Sequence, residues 1–520
     1  MWGSNARIAH PIFFHHILKG IDSGARMIAV DPRRTASAAW ADLWLGIDVG
    51  TDIALANAVG REIIASGLHN ESFIARATVG FDTYRAAVEP ATLEWAAATT
   101  GVPAHAIREL AHAYATAPRA QLCWTLGITE HHNATDNVLA LINLALLTGH
   151  VGRYGSGLVP IRGQNNVQGG GDMGALPNKL PGFQDVADEK IRRRFEAAWG
   201  AAIPPVPGWH LSAMFDAMER GDLRSLYVIG ENPAQSEADG NRAQHLLGRL
   251  DHLVVQDVVM TRTAEMADVV LPAAAAWAES EGTFTSSERR VQLVRKAVAP
   301  PGAARDDSDI VCRLAARLGR GFGSPRPEEV WNEVRTLSPI HAGMSYLRLE
   351  NEGGLQWPCR DDQDPGSVFL HGRLWDDPPG GPPAPFTAVE HRLPLDELTD
   401  EFPIRLTTGR HIDSYNTGVQ SSGYRSPNRR GGSIDVAPED ATMLSLREGE
   451  AVRVVSRRGD LVAPVGIDPG LRPGLAFMAL HFPDDTDVNR LTLDVWDPKS
   501  GTAEFKATAI RIEKIGPVPT

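Results

Sequence analysis

Leu226-Tyr227-Val228-Ile229-Gly230-Glu231-Asn232-Pro233 reads as an apolar strand that breaks at a Gly-x-Asn turn and passes into a helix. Downstream, Leu253-Val254-Val255-Gln256-Asp257 is a second strand ending in an acid, and Ala267-Asp268-Val269-Val270-Leu271 is a third. The same succession occurs near the start. Gly3-Ser4-Asn5 is followed by a helical pattern from His10 to Lys19, then Met27-Ile28-Ala29-Val30-Asp31-Pro32-Arg33, then Ala41-Asp42-Leu43-Trp44-Leu45. Gly3 to Asp31 is 28 positions and Gly230 to Asp257 is 27, while Asp31 to Asp42 and Asp257 to Asp268 are both 11. Short β-branched runs alternating with helices predict parallel strands covered on both faces. A Gly-x-Asn turn at a helix start offers backbone N–H groups to a phosphate. An acid at the end of the next strand can accept bonds from a ribose or a base. Two such units with matched spacing predict a chain that holds two nucleotide-like groups or one doubled cofactor. The first copy has only Met1-Trp2 ahead of its Gly-x-Asn, the last step of a strand, so residues are expected to be missing upstream.

The fold class that follows is α/β, with two doubly wound parallel-sheet lobes related by a pseudo-repeat and a C-terminal all-β, barrel-like domain. The first lobe covers residues 1–165, and apolar spacing of three and four predicts helices from Asp52 to Ser66, Ala104 to Ala117 and Thr135 to Leu147. Thr51 and Asp52 are expected to cap the first of them. The second lobe covers 166–390 and ends in the turn-rich linker 376–387, which no helix or central strand tolerates. From 398 to 520 the pattern becomes short strands, such as 404–408, 451–455 and 461–465.

Composition narrows the function classes. A net charge of −13 and a pI near 5.7 argue against a nucleic-acid partner, and the runs Arg192-Arg193-Arg194 and Arg289-Arg290 are too short to change that. No apolar run is long enough to cross a bilayer, and Met1-Trp2-Gly3-Ser4-Asn5 carries no signal-peptide pattern. Cys123, Cys312 and Cys359 form no CxxC pair and are read as small buried hydrophobes of a reducing compartment, with cytoplasmic location expected. His15-His16 and His131-His132 are read as surface or packing residues.

The most specific stretch is Arg162-Gly163-Gln164-Asn165-Asn166-Val167-Gln168-Gly169-Gly170-Gly171-Asp172-Met173-Gly174. It is too polar and too rich in glycine for a core element. Its glycines permit close backbone approach to a ligand, and Arg162 offers a bidentate fork for a carboxylate. An ordered surface loop with a solvated Arg162 is the alternative on composition alone.

With these residues in view, the chain resembles the molybdopterin oxidoreductases of the dimethyl sulfoxide reductase family, and within it formate dehydrogenase alpha subunits. The resemblance spans essentially the whole chain. It rests on the two Gly-x-Asn units, Gly50-Thr51-Asp52, the 162–174 loop, and Glu281-Gly282-Thr283-Phe284-Thr285 with Glu288-Arg289-Arg290. It continues through Thr407-Thr408-Gly409-Arg410, Asn489-Arg490-Leu491-Thr492, Asp497-Pro498 and Glu504-Phe505-Lys506. It implies molybdenum or tungsten held by two molybdopterin guanine dinucleotides. Asp31 and Asp257 would accept bonds from the two guanines, and Gly3, Asn5, Gly230 and Asn232 would lie beside phosphates. Gly409, Arg410, Asn489, Phe505 and Lys506 would close over the pterins. Arg33, Gly50, Asp52, Gly127, Gln164, Gln256, Thr261, Asp268 and Thr408 are further cofactor-binding candidates on the same ground. Arg162 would be the catalytic residue that binds and orients formate.

The chain also departs from the family. The metal-ligating cysteine or selenocysteine and the [4Fe-4S] cysteines are expected upstream of Gly3, so no metal ligand is assigned within these residues. Gly169-Gly170-Gly171 stands where the family usually has Gly-Ala-Cys. The resemblance implies formate as substrate and an electron-transfer subunit or domain with iron–sulfur clusters or flavin as partner. Two alternatives remain at this stage: an assimilatory-type nitrate reductase catalytic subunit, and a metal-free structural relative such as the large subunit of an NADH–quinone oxidoreductase.

Overall fold

The computed structural model describes residues 1–276, 278–412, 416, 432–482 and 486–515. The chain forms two compact units. One contains Met1–Ile161, Pro233–His245 and His371–Thr520; the other contains Arg162–Asn232 and Leu246–Leu370.

In the first unit, Trp2 pairs in parallel with Val30 on one side and Trp124 on the other. It thereby joins the parallel pair Ile28–Val30 and Leu43–Leu45 to the parallel pair Gln121–Trp124 and Gly157–Pro160. Met1 and Trp2 are the strand step that the sequence pattern required before Gly3. Helices Asp52–Ala65, Ala104–Thr116 and Ala134–Thr148 pack beside this sheet through Ile53, Leu55, Val59, Ile63, Ile107, Leu141 and Leu144. The N-cap at Thr51 differs from the expectation: no side chain caps there, and the Thr51 hydroxyl donates to the Asp48 carbonyl at 2.7 Å. The linker also differs, because it ends in a two-residue strand, Ala384–Pro385, pairing in parallel with Thr78–Val79. Proline is tolerated at such an edge because no ladder N–H is required of it.

The same unit contains a closed six-stranded barrel. Its order is Ile404–Gly409, Leu475–Ala479, Ile434–Val436, Asp460–Ile467, Ala451–Val455 and Thr508–Lys514, the last pairing back with the first. Leu461, Ala463 and Val465 are buried while Val462 and Pro464 are exposed, the period of two that a barrel wall requires. Leu406, Val452, Val454, Ala476, Met478 and Ile510 complete its core.

In the second unit, Ser225–Ile229, His252–Asp257 and Val269–Pro272 form a parallel sheet with His252–Asp257 central. The same unit holds an antiparallel sheet of Gly282–Thr285, Arg290–Val294 and Leu355–Gln356. Trp331, Met344, Tyr346, Leu349 and Leu355 pack against Val291 of that sheet. The 162–174 stretch is not a plain loop, since Val167–Asp172 forms a short helix. No helix among the described residues is long and apolar enough to cross a membrane.

Candidate functional site

The two Gly-x-Asn units are built by the same bonds. Gly3 N–H donates to the Val30 carbonyl at 2.8 Å, and Gly230 N–H donates to the Gln256 carbonyl at 2.8 Å. Each bond ties the turn to the residue just before the acid. The Asn5 side-chain oxygen accepts from Ser37 N–H at 3.2 Å and from its hydroxyl at 3.0 Å. The Asn232 oxygen accepts from Thr263 N–H at 3.1 Å and from its hydroxyl at 2.8 Å. Thr35 and Thr261 each accept from the N–H three residues on, Ala38 and Ala264, at 3.2 Å. The sequence carries the signal in Thr35-Ala36-Ser37-Ala38 and Thr261-Arg262-Thr263-Ala264, each starting four residues after its acid. Sequence reasoning did not use it.

Both acids accept a backbone N–H from the turn that follows them. Asp31 accepts from Arg33 at 3.0 Å, and Asp257 from Val258 at 2.6 Å. Burial pushes the Asp31 carboxyl up to about 6, against the pull of its Arg33 bond and charge. Burial also raises the Asp257 carboxyl above the ordinary range. The Arg33 guanidinium lies 3.5 Å from the Phe477 ring centroid, so the first acid's turn is seated on the barrel. Its Nε is buried with no hydrogen-bond partner, and so is the Ser4 hydroxyl beside Gly3.

Four expected ligand residues, Asp52, Asp268, Gln256 and Gly50, make contacts within the protein. Asp52 lies under the sheet and accepts the Trp2 indole N–H at 2.8 Å. Asp268 accepts Leu253 N–H at 2.7 Å at the start of its strand, the end opposite Asp257. Asp42 does the same for Met27 at 2.8 Å in the first unit. The spacing of 11 therefore marks, in both units, a carboxylate that clasps the neighbouring strand. The Gln256 side chain is buried, held by the Tyr227 hydroxyl and the Asp307 carboxylate. Gly50 has φ +82°, and a Cβ there would stand 2.6 Å from Pro394, so glycine is required by backbone and packing.

Gly3 and Gly127 face each other so closely that a Cβ on Gly127 would lie 2.5 Å from the Gly3 carbonyl oxygen. Beneath them is a buried ionic cluster that sequence reasoning missed. His131 contacts the Gly127 carbonyl through Nε2 at 3.1 Å and Glu504 through Nδ1 at 3.4 Å. Glu504 also accepts the N–H groups of His132 and Lys506, each at 3.0 Å. Burial works against both charges, but the pair prevails: His131 is raised and Glu504 held well below the usual carboxylate range. His131 and His132 are thus both buried, the packing alternative and not the surface one, and His131 pairs with Glu504.

Among the C-terminal candidates, the Thr408 hydroxyl donates to the Phe505 carbonyl at 2.9 Å, and Lys506 pairs with Glu130 at 2.7 Å. Asn489 is buried and donates its amide to the Gln235 carbonyl at 2.9 Å. Gly409 passes under the Phe477 ring, where a Cβ would meet Cε2 at 2.8 Å. Arg410 follows directly and is half-buried. In the second unit, Arg162 is exposed and donates Nε–H to Gln168 at 2.9 Å, while Gln164 is exposed on the same loop. Asn166, at φ +60°, caps the short helix from the left-handed region, and its side-chain oxygen accepts Thr285 N–H at 2.9 Å. A Cβ on Gly169 would stand 2.0 Å from that oxygen, which explains one of the three glycines. Among the described residues no three His, Cys, Asp or Glu side chains converge as a metal site.

Comparison with known proteins places this arrangement. Residues 1–317 match the molybdopterin oxidoreductase family and residues 404–509 the molybdopterin dinucleotide-binding domain. The F420-dependent formate dehydrogenase 2 subunit alpha of Methanococcus maripaludis is 42% identical over 99% of this chain and 76% of its own length. Formate dehydrogenase H of Escherichia coli is 35% identical over 99% of this chain and 72% of its own. The assimilatory nitrate reductase catalytic subunit of Bacillus subtilis is 33% identical over 98% of this chain and 73% of its own. Acetylene hydratase from Pelobacter acetylenicus shares the fold, with a TM-score of 0.73 at 20% identity over 96% of this chain and 75% of that one. With its doubled Gly-x-Asn units and its C-terminal barrel, the chain belongs to the molybdopterin oxidoreductases, enzymes that work with a molybdopterin dinucleotide carrying molybdenum or tungsten.

Proposed function

We propose that the chain oxidises formate to carbon dioxide and passes two electrons to an iron–sulfur relay outside it, the [4Fe-4S] cluster nearest the metal included. The observation that carries this reading is Arg162, an exposed guanidinium held at Nε by Gln168 on a helix that begins five residues later. A planar fork fixed in this way suits a carboxylate better than a flexible ammonium. The relatives named as formate dehydrogenases, at 35–42% identity over nearly the whole chain, support the same substrate.

The residues present fit a dinucleotide of the implied kind. The buried, unpartnered Ser4 hydroxyl and Arg33 Nε are polar atoms awaiting a ligand next to Gly3 and Asp31. At Gly230 a Cβ would point into open space, so a phosphate can approach the backbone there. Asp31 and Asp257 would accept the N–H groups of the two guanines. Gly3, Asn5, Gly230 and Asn232 would border the phosphates through their N–H groups. Thr408, Gly409, Arg410, Asn489, Phe505 and Lys506 would form the barrel's side of the pterin contacts. When bound, the metal–pterin group accepts the two electrons that formate gives up. Arg162 neutralises the carboxylate and holds its C–H bond in one direction. This division of labour keeps three functional regions, 1–165, 166–390 and 398–520.

The test is steady-state formate oxidation by the purified holoenzyme and by Arg162→Lys. Loss of most activity is expected, because lysine offers a point charge where arginine offers a fork. Unchanged formate kinetics in that variant overturn the role of Arg162. The similarity to the nitrate reductase supports nitrate as a second reading, and side-by-side turnover of formate and nitrate decides between them.

A further inference from the structure

Arg162 is not held by Gln168 alone. The Gln168 amide nitrogen donates to Asp172 Oδ1 at 2.8 Å, one helical turn along Val167–Asp172. The Trp357 indole N–H donates to the other oxygen, Oδ2, at 2.8 Å. Trp357 is fixed in turn by Arg289, whose guanidinium lies 5.2 Å from its ring centroid and donates to its carbonyl. Arg289 also donates to the carbonyls of Ser367 at 2.9 Å and Val368 at 3.0 Å. Those bonds hold a bulky residue at φ +67°, a left-handed backbone that needs such support.

The polarity of this chain of bonds is forced. An indole N–H only donates, an ionised carboxylate only accepts, and an arginine N–H only donates. With Trp357 on one oxygen of Asp172, the other oxygen can take only a donor. The Gln168 amide must therefore turn its nitrogen to Asp172 and its oxygen to Arg162. Asp172 is 1% exposed, so water does not substitute for either donor. The Glu288-Arg289-Arg290 motif and Asp172, both picked out in the sequence, thereby acquire a shared purpose.

We propose that Asp172 is a positioning residue for the substrate arginine: acting through the Gln168 amide, it fixes Arg162 Nε–H and so the direction in which the guanidinium meets a carboxylate. This deepens the formate reading above and rests on it for the identity of the carboxylate. Asp172→Asn must present its own N–H₂ to one of two donors, so either Trp357 or Gln168 loses its acceptor. If Gln168 turns over in response, its N–H₂ faces Arg162 Nε–H.

The experiment compares Arg162→Lys, Asp172→Asn and the double variant in the holoenzyme. Asp172→Asn is expected to lower kcat/KM for formate about 10- to 100-fold, the usual cost of losing a supporting partner. The double variant is expected to fall no further than Arg162→Lys alone, because a residue that acts through the fork has no effect once the fork is gone. Losses that multiply in the double variant overturn the proposal. Gln168→Met, which keeps volume and removes the amide, is expected to reproduce the Asp172→Asn loss at unchanged metal content, and it serves if Asp172→Asn fails to fold.

A substrate-independent measurement separates the two claims. Solvent exchange of Arg162 Nε–H, followed by NMR on arginine-labelled holoenzyme, is expected to quicken about tenfold or more in Asp172→Asn and Gln168→Met. If Arg162→Lys keeps formate turnover while exchange responds, the formate reading fails and the positioning of Arg162 stands. If Arg162→Lys loses turnover while Asp172→Asn changes neither kinetics nor exchange, the positioning role fails and the formate reading stands.

Discussion

In the first Gly-x-Asn unit, Asp31 is followed two residues later by Arg33, which lies on the Phe477 ring of the barrel. In the second, the equivalent place after Asp257 is Val259, and the nearby charges are Glu231 and Asp307. The backbone frame is the same bond for bond, down to the Asn oxygen that accepts both the N–H and the hydroxyl of Ser37 or Thr263. The charges beside the acids differ: Arg33 and Lys506 pull the Asp31 carboxyl down against Asp52, while Asp307 pushes the Asp257 carboxyl up. The frame therefore fixes where an acid stands, and the residues outside the frame decide what charge surrounds it. Under the proposed function, the two units would hold two similar groups in dissimilar fields.

The steepest contrast should come from the glycines. At Gly3, with φ +56°, a Cβ would stand 2.9 Å from the Gly127 backbone; at Gly230, with φ +64°, nothing lies within 4 Å. Gly230→Ala then costs only the left-handed backbone term, about 1–2 kcal/mol. Gly3→Ala adds a clash between two backbones and should exceed about 4 kcal/mol, enough to abolish soluble holoprotein. Equal melting temperatures for the two variants would break the distinction. Full cofactor retention in Gly230→Ala would show that no phosphate takes the open side.

Next in size is the ionic cluster beneath the first unit. Glu504→Gln leaves His131 buried without its counter-charge, which costs about 3–5 kcal/mol for a buried pair broken from one side. The pH dependence follows from the two shifts. The Glu504 contribution is present above the ordinary glutamate range and is lost as pH falls through its depressed value. The His131 contribution is complete below the ordinary histidine range and is lost as pH rises through its raised value. Melting of the wild type should accordingly decline on both sides of neutrality, and the alkaline limb should flatten in Glu504→Gln. An unaltered alkaline limb would remove His131 from this account.

The frame itself is tested by Asn5→Ala and Asn232→Ala. Each strands one N–H and one hydroxyl, at about 1–3 kcal/mol. Because the bonds match, the two losses should match when read as shifts in melting temperature. A large inequality would mean that one Asn carries more than the frame.

Much of this was legible in the sequence, for a physical reason. Strand length, turn and crossover fix the distance from Gly to acid, so 28 and 27 positions were enough to align the units. Spacing could not tell which end of a strand a carboxylate serves, and the Asp268 bond to Leu253 N–H was not legible on that account. The bond of Asp52 to Trp2 was hidden because the two lie 50 residues apart. His131 and Glu504 are 373 positions apart in the chain, and no local pattern announces an ion pair of that kind. The helix Val167–Asp172 was hidden by three glycines, which weaken a helix by propensity. Tertiary contact wins there, since the Asn166 side chain fits only over a glycine at 169.

The smallest expected effect bears on Asp268 and Asp42. Asp268 is exposed, accepts the Leu253 N–H and lies 3.6 Å from His252 Nδ1, and Asp42 accepts the Met27 N–H. Removing either carboxylate by alanine substitution should cost about 1 kcal/mol. Neither substitution should alter bound metal or pterin, because both clasps lie at the strand end away from the Gly-x-Asn turn. Asp257→Ala should do the reverse, lowering cofactor content while relieving a half-buried acid that desolvation already holds above its ordinary range. Equal cofactor loss in Asp268→Ala and Asp257→Ala would keep Asp268 in the ligand set, and the matched spacing of 11 would carry a functional meaning.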